Sequence, residues 1–353
     1  MTKADSCGFK HWERFNTPHG PGVLKEMDDT DRRLLVLMSE NPRIHFEDLA
    51  KRLGISRQAV YSRMQVLIGI GVIQGTHAAV SVPYLDAVPV GVFGRSKTAS
   101  IEATLDRLGE SEFTRRVVVA GGNYLYVVGF LRNISELDSY SEFVKRAAEM
   151  PEPTVGMYNL DDELMSYSVD GSGKRKQSYK ELTPLDLRII ASLKDDARRS
   201  VADIADMVGV STKTVRRHLE DMISDGALDL HAPMDLTSGG DLFLVMHVNL
   251  GDGADKVEAG RRLLSRCYFQ DQYIRTFSNL PGFLVWAFWS DKMTEIRRAL
   301  RATGEDEDVV SVMLNFAYIE RIYPTWRDKL PEVRTHARVK ARTHKLSPRH
   351  MTQ

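Results

Sequence analysis

Apolar residues near the start of the chain recur in three short blocks at helical spacing. Leu34, Leu35, Leu37 and Met38 line one face of a first helix that begins near Asp28. It stops at Asn41-Pro42, because the residue before a proline is driven out of the helical region. Leu49, Ala50 and Leu53 stripe a second helix, which Gly54 can end in the left-handed conformation. Ser56 is placed to cap a third, along which Val60, Met64 and Leu67 repeat and Ile68 widens the apolar face. Arg57, Gln58, Tyr61, Ser62 and Gln65 fall on the opposite, polar face. Two helices about a glycine turn, the second showing a polar face, form the arrangement that enters a DNA major groove, although any two packed helices can share it. Residues 72–80 then read as a two-stranded wing.

The pattern returns. Adding 155 to each number carries Asp48 onto Asp203, Gly54 onto Gly209, Ser56 onto Ser211 and Val60 onto Val215, and beyond this core Asp31 onto Asp186, Arg43 onto Arg198 and Gly71 onto Gly226. A register kept without a gap over about forty residues marks an internal duplication. In the second copy Thr183 caps a helix whose first residue is Pro184, and the polar face of the later helix carries Thr212, Lys213, Arg216 and Arg217.

Between the copies the period changes from helical to alternating. Val88, Val90 and Val92 read as a strand with one face buried. A helix over residues 101–108, strands over 115–120 and 125–130, a helix over 135–148 and a strand over 154–160 follow. Strand, helix, strand, strand, helix, strand is the split βαβ or ferredoxin-like order. The same order recurs after the second helix-turn-helix, from residue 242 to a long last strand over 309–319. The expected fold class is α+β: two winged helix-turn-helix domains and two ferredoxin-like (βαββαβ) domains. The expected divisions are a tail at 1–26, winged helix-turn-helix 1 at 27–84, ferredoxin-like domain 1 at 85–160, a linker at 161–181, winged helix-turn-helix 2 at 182–236, ferredoxin-like domain 2 at 237–330 and a basic tail at 331–353.

Composition narrows the picture. Formal net charge is +0, so nucleic-acid binding has to rest on local clusters such as the two polar faces and the tail with Arg334, Arg338, Lys340 and Arg342. That tail reads either as a solubilising terminus or as an arm along the phosphate backbone. Two cysteines, Cys7 and Cys267, give no disulfide framework and suit a reducing cytoplasm. Cys7, His11 and His19 lack a second cysteine pair and read as tail rather than metal site. Gly171 to Lys174 lacks the upstream glycine of a phosphate loop, and Arg175 stands where it needs Ser or Thr. The start has no signal-peptide core, and the longest apolar runs, such as residues 283–288, are too short for a bilayer. No cofactor and no catalytic group are expected.

The run 182–190, then Asp196-Ala197-Arg198 and Gly209-Val210-Ser211, resembles the DNA-binding domain of the Lrp/AsnC (feast/famine) family. The resemblance covers both halves, and two copies in one chain depart from the family's usual single-copy form. It implies a cytoplasmic, nucleoid-associated transcription regulator that binds double-stranded DNA, with ferredoxin-like domains for dimerisation or higher assembly and for sensing an amino-acid-like effector. One chain would then supply both halves of a dimer. The DNA-binding residues implied are Ser56, Arg57, Gln58, Tyr61, Ser62 and Arg63 in the first copy. Ser211, Thr212, Lys213, Arg216 and Arg217 are their counterparts in the second. The effector turn maps to Gly121, Gly122, Asn123 and Tyr124, where no carboxylate is present to meet an amino group, and the second copy's turn, residues 278–282, is further from the family pattern. Two other readings stay open. Sirohaem decarboxylases share the two-domain look and need basic side chains for the propionates, for which Arg115, Arg116, His247 and Arg275 are the few candidates. A chromatin-like binder with little sequence choice is the other.

Overall fold

The computed structural model describes residues 27–159, 181–267, 269 and 272–330; both tails and most of the linker lie outside the described residues. The first helix-turn-helix comprises α1 (Asp29–Glu40), α2 (Phe46–Leu53) and α3 (Arg57–Gly69). Asp28 and Asp31 form a capping box at the start of α1, Gly54 closes α2 at φ 70°, and the Ser56 hydroxyl accepts from the Ala59 amide to start α3. Then come β1 (His77–Val80), β2 (Val88–Arg95), α4 (Ile101–Gly109), β3 (Thr114–Ala120), β4 (Tyr124–Leu131), α5 (Leu137–Ala147) and β5 (Thr154–Met157). The second copy repeats the order with α6 (Pro184–Leu193), α7 (Val201–Val208), α8 (Thr212–Ser224), β6 (Leu228–His231), β7 (Leu242–Leu250), α9 (Lys256–Arg266), β8 (Gln272–Thr276), β9 (Phe283–Ser290), α10 (Met293–Gly304) and β10 (Val309–Ile322). Thr183 and Asp186 repeat the capping box, with Pro184 at the first helical position, and Gly209 repeats the left-handed stop at φ 68°.

The two ferredoxin-like units share one antiparallel sheet in the order β5-β2-β4-β3-β10-β7-β9-β8. Within each unit the fourth strand lies beside the first and the second lies at the far edge. The units join where β10 pairs β3, with Ala317 opposite Ala120 and Ile322 opposite Arg116. The other ends meet as well: Tyr158 bridges Phe277, the Asn159 amide donates to the Thr276 carbonyl at 3.1 Å, and the Ser278 amide donates to the Met157 carbonyl at 2.8 Å. Each unit's fourth strand thus reaches the other's second strand, and the sheet closes on itself within one chain.

Closure explains two departures from the sequence pattern. Val88 to Val92 suggested one buried face, but residues 89–94 are all buried. Helices cover the outer face of the first unit, where Leu105, Leu108, Tyr140 and Val144 pack on Val90, Val92 and Val117. The inner face meets the other unit through Phe93, Tyr126, Phe243, Phe277 and Trp289, in a cluster continuous with the core of the first helix-turn-helix. The second departure is the wing. Neither copy forms its own two-stranded wing; each contributes one strand, and β1 pairs antiparallel with β6, His77 opposite His231 and Val80 opposite Leu228. Ala78 and Val80 are buried in the core of the second helix-turn-helix, so the first copy's strand completes the second copy's packing.

Candidate nucleic-acid interface

The polar faces of α3 and α8 remain open. Arg57, Gln58, Tyr61 and Ser62 are exposed on α3, and Thr212, Lys213, Arg216 and Arg217 are exposed on α8. Arg57 is 3.6 Å from Glu47 of α2, with both side chains solvated. Such a pair is worth little, so the guanidinium can be redirected cheaply. The Tyr61 ring packs edge-on against Phe46 at 6.1 Å between centroids, which aims the phenol from a fixed base. Ser56 and Ser211 accept from the Ala59 and Thr214 amides at 3.1 and 3.2 Å, so in both copies this serine starts the helix.

Arg63 is turned the other way. It reaches back to α1 and pairs with Asp28 at 2.8 Å and with the buried carboxylate of Asp31 at 2.7 Å. Those carboxylates and their hydrogen bonds raise the Arg63 pKa, chiefly Asp31, and hold it as a structural ion pair rather than a free phosphate contact. At the same place in the second copy, His218 Nδ1 lies 2.6 Å from Asp186 Oδ1.

The two reading units are locked to each other by contacts not evident from helical patterning. Arg43 donates through Nη1 to the Ala197 carbonyl and through Nη2 to the Arg199 carbonyl at 3.1 Å. Arg198, its repeat mate, donates to the carbonyls of Pro42 and Ile44, both at 2.7 Å. Burial lowers the pKa of both guanidinium groups, as desolvation of a cation does. The exchange is reciprocal, as an approximate two-fold relation requires. The signal in the sequence was that both arginines survive in the repeat.

The effector turn is a tight 3-10 turn over Gly121–Asn123, with Gly122 at φ 68° and Asn123 at φ 56°. The Asn123 carbonyl accepts from the Ser96 amide at 2.9 Å, and Tyr124 leans inward, 5.1 Å from the Tyr126 ring and 5.4 Å from His247. The equivalent turn of the second copy is a closure device: Asn279 accepts from the Met157 amide and donates to the Val155 carbonyl, both at 2.8 Å.

The four residues that a tetrapyrrole reading singled out do not form one open cluster. Arg116 is buried against Glu320 at 2.5 Å. Arg275 lies under Tyr273 and Tyr158, 5.0 and 5.7 Å from their centroids. His247 is enclosed by Phe93, Tyr124 and Phe283 and takes a hydrogen bond from Tyr126 Oη at 2.8 Å. Asn315 donates to that same phenol at 2.6 Å, which leaves the phenol hydrogen for His247. Burial brings the His247 pKa down to about 4. Arg115 instead sits by the wing, donating to His231 Nε2 at 2.9 Å.

Two exposed recognition faces on a duplicated, self-closed scaffold define the class: a tandem winged helix-turn-helix protein. Comparison with known proteins agrees. An AsnC-type helix-turn-helix domain matches residues 27–68, and a winged helix-turn-helix DNA-binding domain matches residues 182–228. The transcriptional regulator Ptr1 of Methanocaldococcus jannaschii is 28% identical over 116 residues, which are 32% of this chain and 78% of Ptr1. The regulator LrpA of Pyrococcus horikoshii is 28% identical over 100 residues, 28% of this chain and 71% of its own length. The crystal structure of the siroheme decarboxylase NirDL superposes with a TM-score of 0.55 at 14% identity, covering 89% of this chain and 100% of that one, a likeness of fold. The chain thus carries an AsnC-type helix-turn-helix domain and a second winged helix-turn-helix domain, and its curated relatives are HTH-type transcriptional regulators; the two copies fit a tandem form. Among the described residues no helix is long and apolar enough to cross a membrane.

Proposed function

We propose that the chain is a DNA-binding transcription regulator that reads two unlike half-sites with one polypeptide. The observation that carries this reading is the locked pair of exposed recognition helices, α3 and α8, on a sheet that one chain closes by itself. Arg57 and Gln58 present the groups that recognise guanine and adenine edges, while Lys213, Arg216 and Arg217 present a more basic face suited to guanine and phosphate. Ser56, Tyr61, Ser62, Ser211 and Thr212 complete the two faces. A palindromic site then needs two chains, copy one against copy one, and such further assembly belongs to this reading. An amino-acid-like effector at the Gly121–Tyr124 turn belongs to this reading; there Gly121 and Gly122 shape the turn, the Asn123 carbonyl is held by the Ser96 amide, and no carboxylate is offered.

The test is genome-wide mapping of bound DNA with the unaltered chain and with the Arg57→Ala, Arg216→Ala double variant. The expected result is loss of specific occupancy in the double variant; unchanged occupancy rejects the assigned recognition helices. We read the likeness to the decarboxylase as shared architecture and the chain as a non-enzyme, because Arg116, Arg275 and His247 are each engaged within the closed sheet. Mixing the protein with sirohaem is expected to leave the absorption spectrum unshifted; a shifted Soret band overturns that part.

A further inference from the structure

A cavity of about 260 Å³ opens where the paired wing strands meet the sheet, with no residue of α3 or α8 in its lining. Its walls come from three parts of the chain: Gln74 and His77 from the first helix-turn-helix, Lys194 and His231 from the second, Arg115 and Tyr323 from the sheet. Arg115 owes its place to a bulge. In β3, Thr114 lies opposite Gly129 while Arg116 lies opposite Val128, so Arg115 is an extra residue between them. A bulge re-aims a side chain, and over its described residues, Gln272 to Thr276, the corresponding strand β8 pairs with β9 in unbroken register.

The hydrogen bonds fix the imidazole tautomers. His77 Nδ1 lies 3.1 Å from the Lys194 carbonyl, which only accepts, so Nδ1 carries a proton. Arg115 donates to His231 Nε2, so in the neutral ring the proton is on Nδ1. That Nδ1 is buried with no hydrogen-bond partner, and the nearest carboxylate oxygen, Asp229 Oδ2, is at 3.6 Å, too far for one. Behind it Arg327, 1% exposed, donates to Asp229 at 2.9 Å but leaves Nε and Nη2 unpartnered, against one unpartnered acceptor, Asp229 Oδ1. Arg327 and Asp229 lie behind the lining, so of these leftover groups the His231 Nδ1 donor is the one that belongs to the cavity wall. Of the two acids at the cavity, Asp328 already accepts from the Thr325 amide and hydroxyl at 2.7 and 3.0 Å, and Asp195 is exposed at the rim. Ile322, Pro233 and Pro324 add apolar wall.

We propose that this cavity binds a small organic carboxylate, its charged end toward Arg115 and Lys194 and its hydrocarbon body against Ile322 and the two prolines. A ligand there touches both helix-turn-helix units and the sheet at once. The proposal stands apart from the DNA reading, and its test uses no DNA. The whole chain is titrated calorimetrically with three probes of like size and different charge: benzoate, benzamide and benzylamine. Saturable binding is expected for benzoate, weaker for benzamide, none for benzylamine, with benzoate moving the ring resonances of His77 and His231 in histidine-labelled protein. Lys194→Met is expected to weaken benzoate about tenfold, the loss of one charge-assisted contact. Gln74→Leu on the facing wall serves if Lys194→Met does not fold by circular dichroism. No saturable benzoate binding, equal binding of all three probes, or an affinity untouched by the folded variant overturns the proposal.

Discussion

The two helix-turn-helix units keep one plan and solve it with different chemistry. Each locks its recognition helix to its first helix through the same position, but the first uses Arg63 on Asp28 and Asp31 and the second uses His218 on Asp186. Inside the sheet the contrast repeats. Phe93 and His247 hold like registers, each opposite the third residue of its neighbouring hairpin strand, Tyr126 and Val285. The Asn315–Tyr126–His247 relay is built from both copies and has no mirror image. A homodimer must place the same residue on both sides of its axis. A duplicated chain is free of that rule, and here the freedom has been used in the interior and on the reading faces while the clasp, the glycine stops at Gly54 and Gly209 and the serine caps at Ser56 and Ser211 stayed alike.

The largest expected effect comes from breaking what the copies share. Arg43→Ala with Arg198→Ala removes four hydrogen bonds from charged donors to carbonyls across the two units. Urea unfolding is expected to show a loss of about 3–5 kcal/mol. A double variant as stable as the parent would mean that the clasp only follows from the closure of the sheet.

Removing the unlike locks sharpens the contrast. Arg63→Met strips the cation from Asp31, which is 3% exposed, and is expected to cost about 2–3 kcal/mol after discounting for the partly solvated guanidinium. His218→Leu removes a single hydrogen bond to Asp186 and is expected to cost about 1–2 kcal/mol. Equal losses in chemical denaturation would show that the ion pair and the imidazole do the same work.

The interior relay makes a prediction with a fixed sign. His247 has a pKa of about 4 in the fold because burial disfavours its cation, against an ordinary value of 6.5. Between those values the unfolded chain binds the proton and the folded chain does not. The stability contributed is complete above pH 6.5 and is lost as the pH falls toward 4, about 3 kcal/mol in all. His247→Phe, which copies Phe93 into the second unit, is expected to flatten the unfolding free energy over that window. A slope that survives the substitution assigns the effect to other groups.

The smallest effects are expected at the reading faces. Gln58→Ala and Arg216→Ala are each expected to weaken specific DNA binding by about 1–3 kcal/mol and to relax base choice in different half-sites. Lys213→Ala is expected to weaken all sequences alike and reduce the salt slope by about one. Identical footprint changes for Gln58→Ala and Arg216→Ala would remove the case for unlike halves.

Much of this was legible before any coordinates. Ser56 and Ser211, Gly54 and Gly209, and the capping residues Asp28 and Thr183 announce their helices because caps act over three or four residues of sequence. The exposed polar faces of α3 and α8 follow from the same local periodicity. Arg63 was placed among the DNA-binding residues, and its pairing with Asp31 stayed hidden because that partner lies 32 residues away and no periodicity encodes such a pairing. The wings were misread because each short strand is completed by the other copy. Asn279 looked like a departure from an effector motif, yet its amide ties one unit's turn to the other unit's edge strand.

The sequence by itself determined the duplication, the three helices of each helix-turn-helix, the order of helices and strands in each ferredoxin-like unit and the two unlike polar faces, because caps, glycine stops and hydrophobic periods are local. Only the tertiary structure decided that β10 joins β3 and that β5 meets the end of β8, so that one chain closes a sheet built of two units. It alone also exchanged Arg43 and Arg198 between the units and gathered His77, His231 and Arg115 around one cavity. These are pairings between residues far apart in the chain, chosen by which buried backbone groups and charges find partners, and that choice is made only when the two copies pack together.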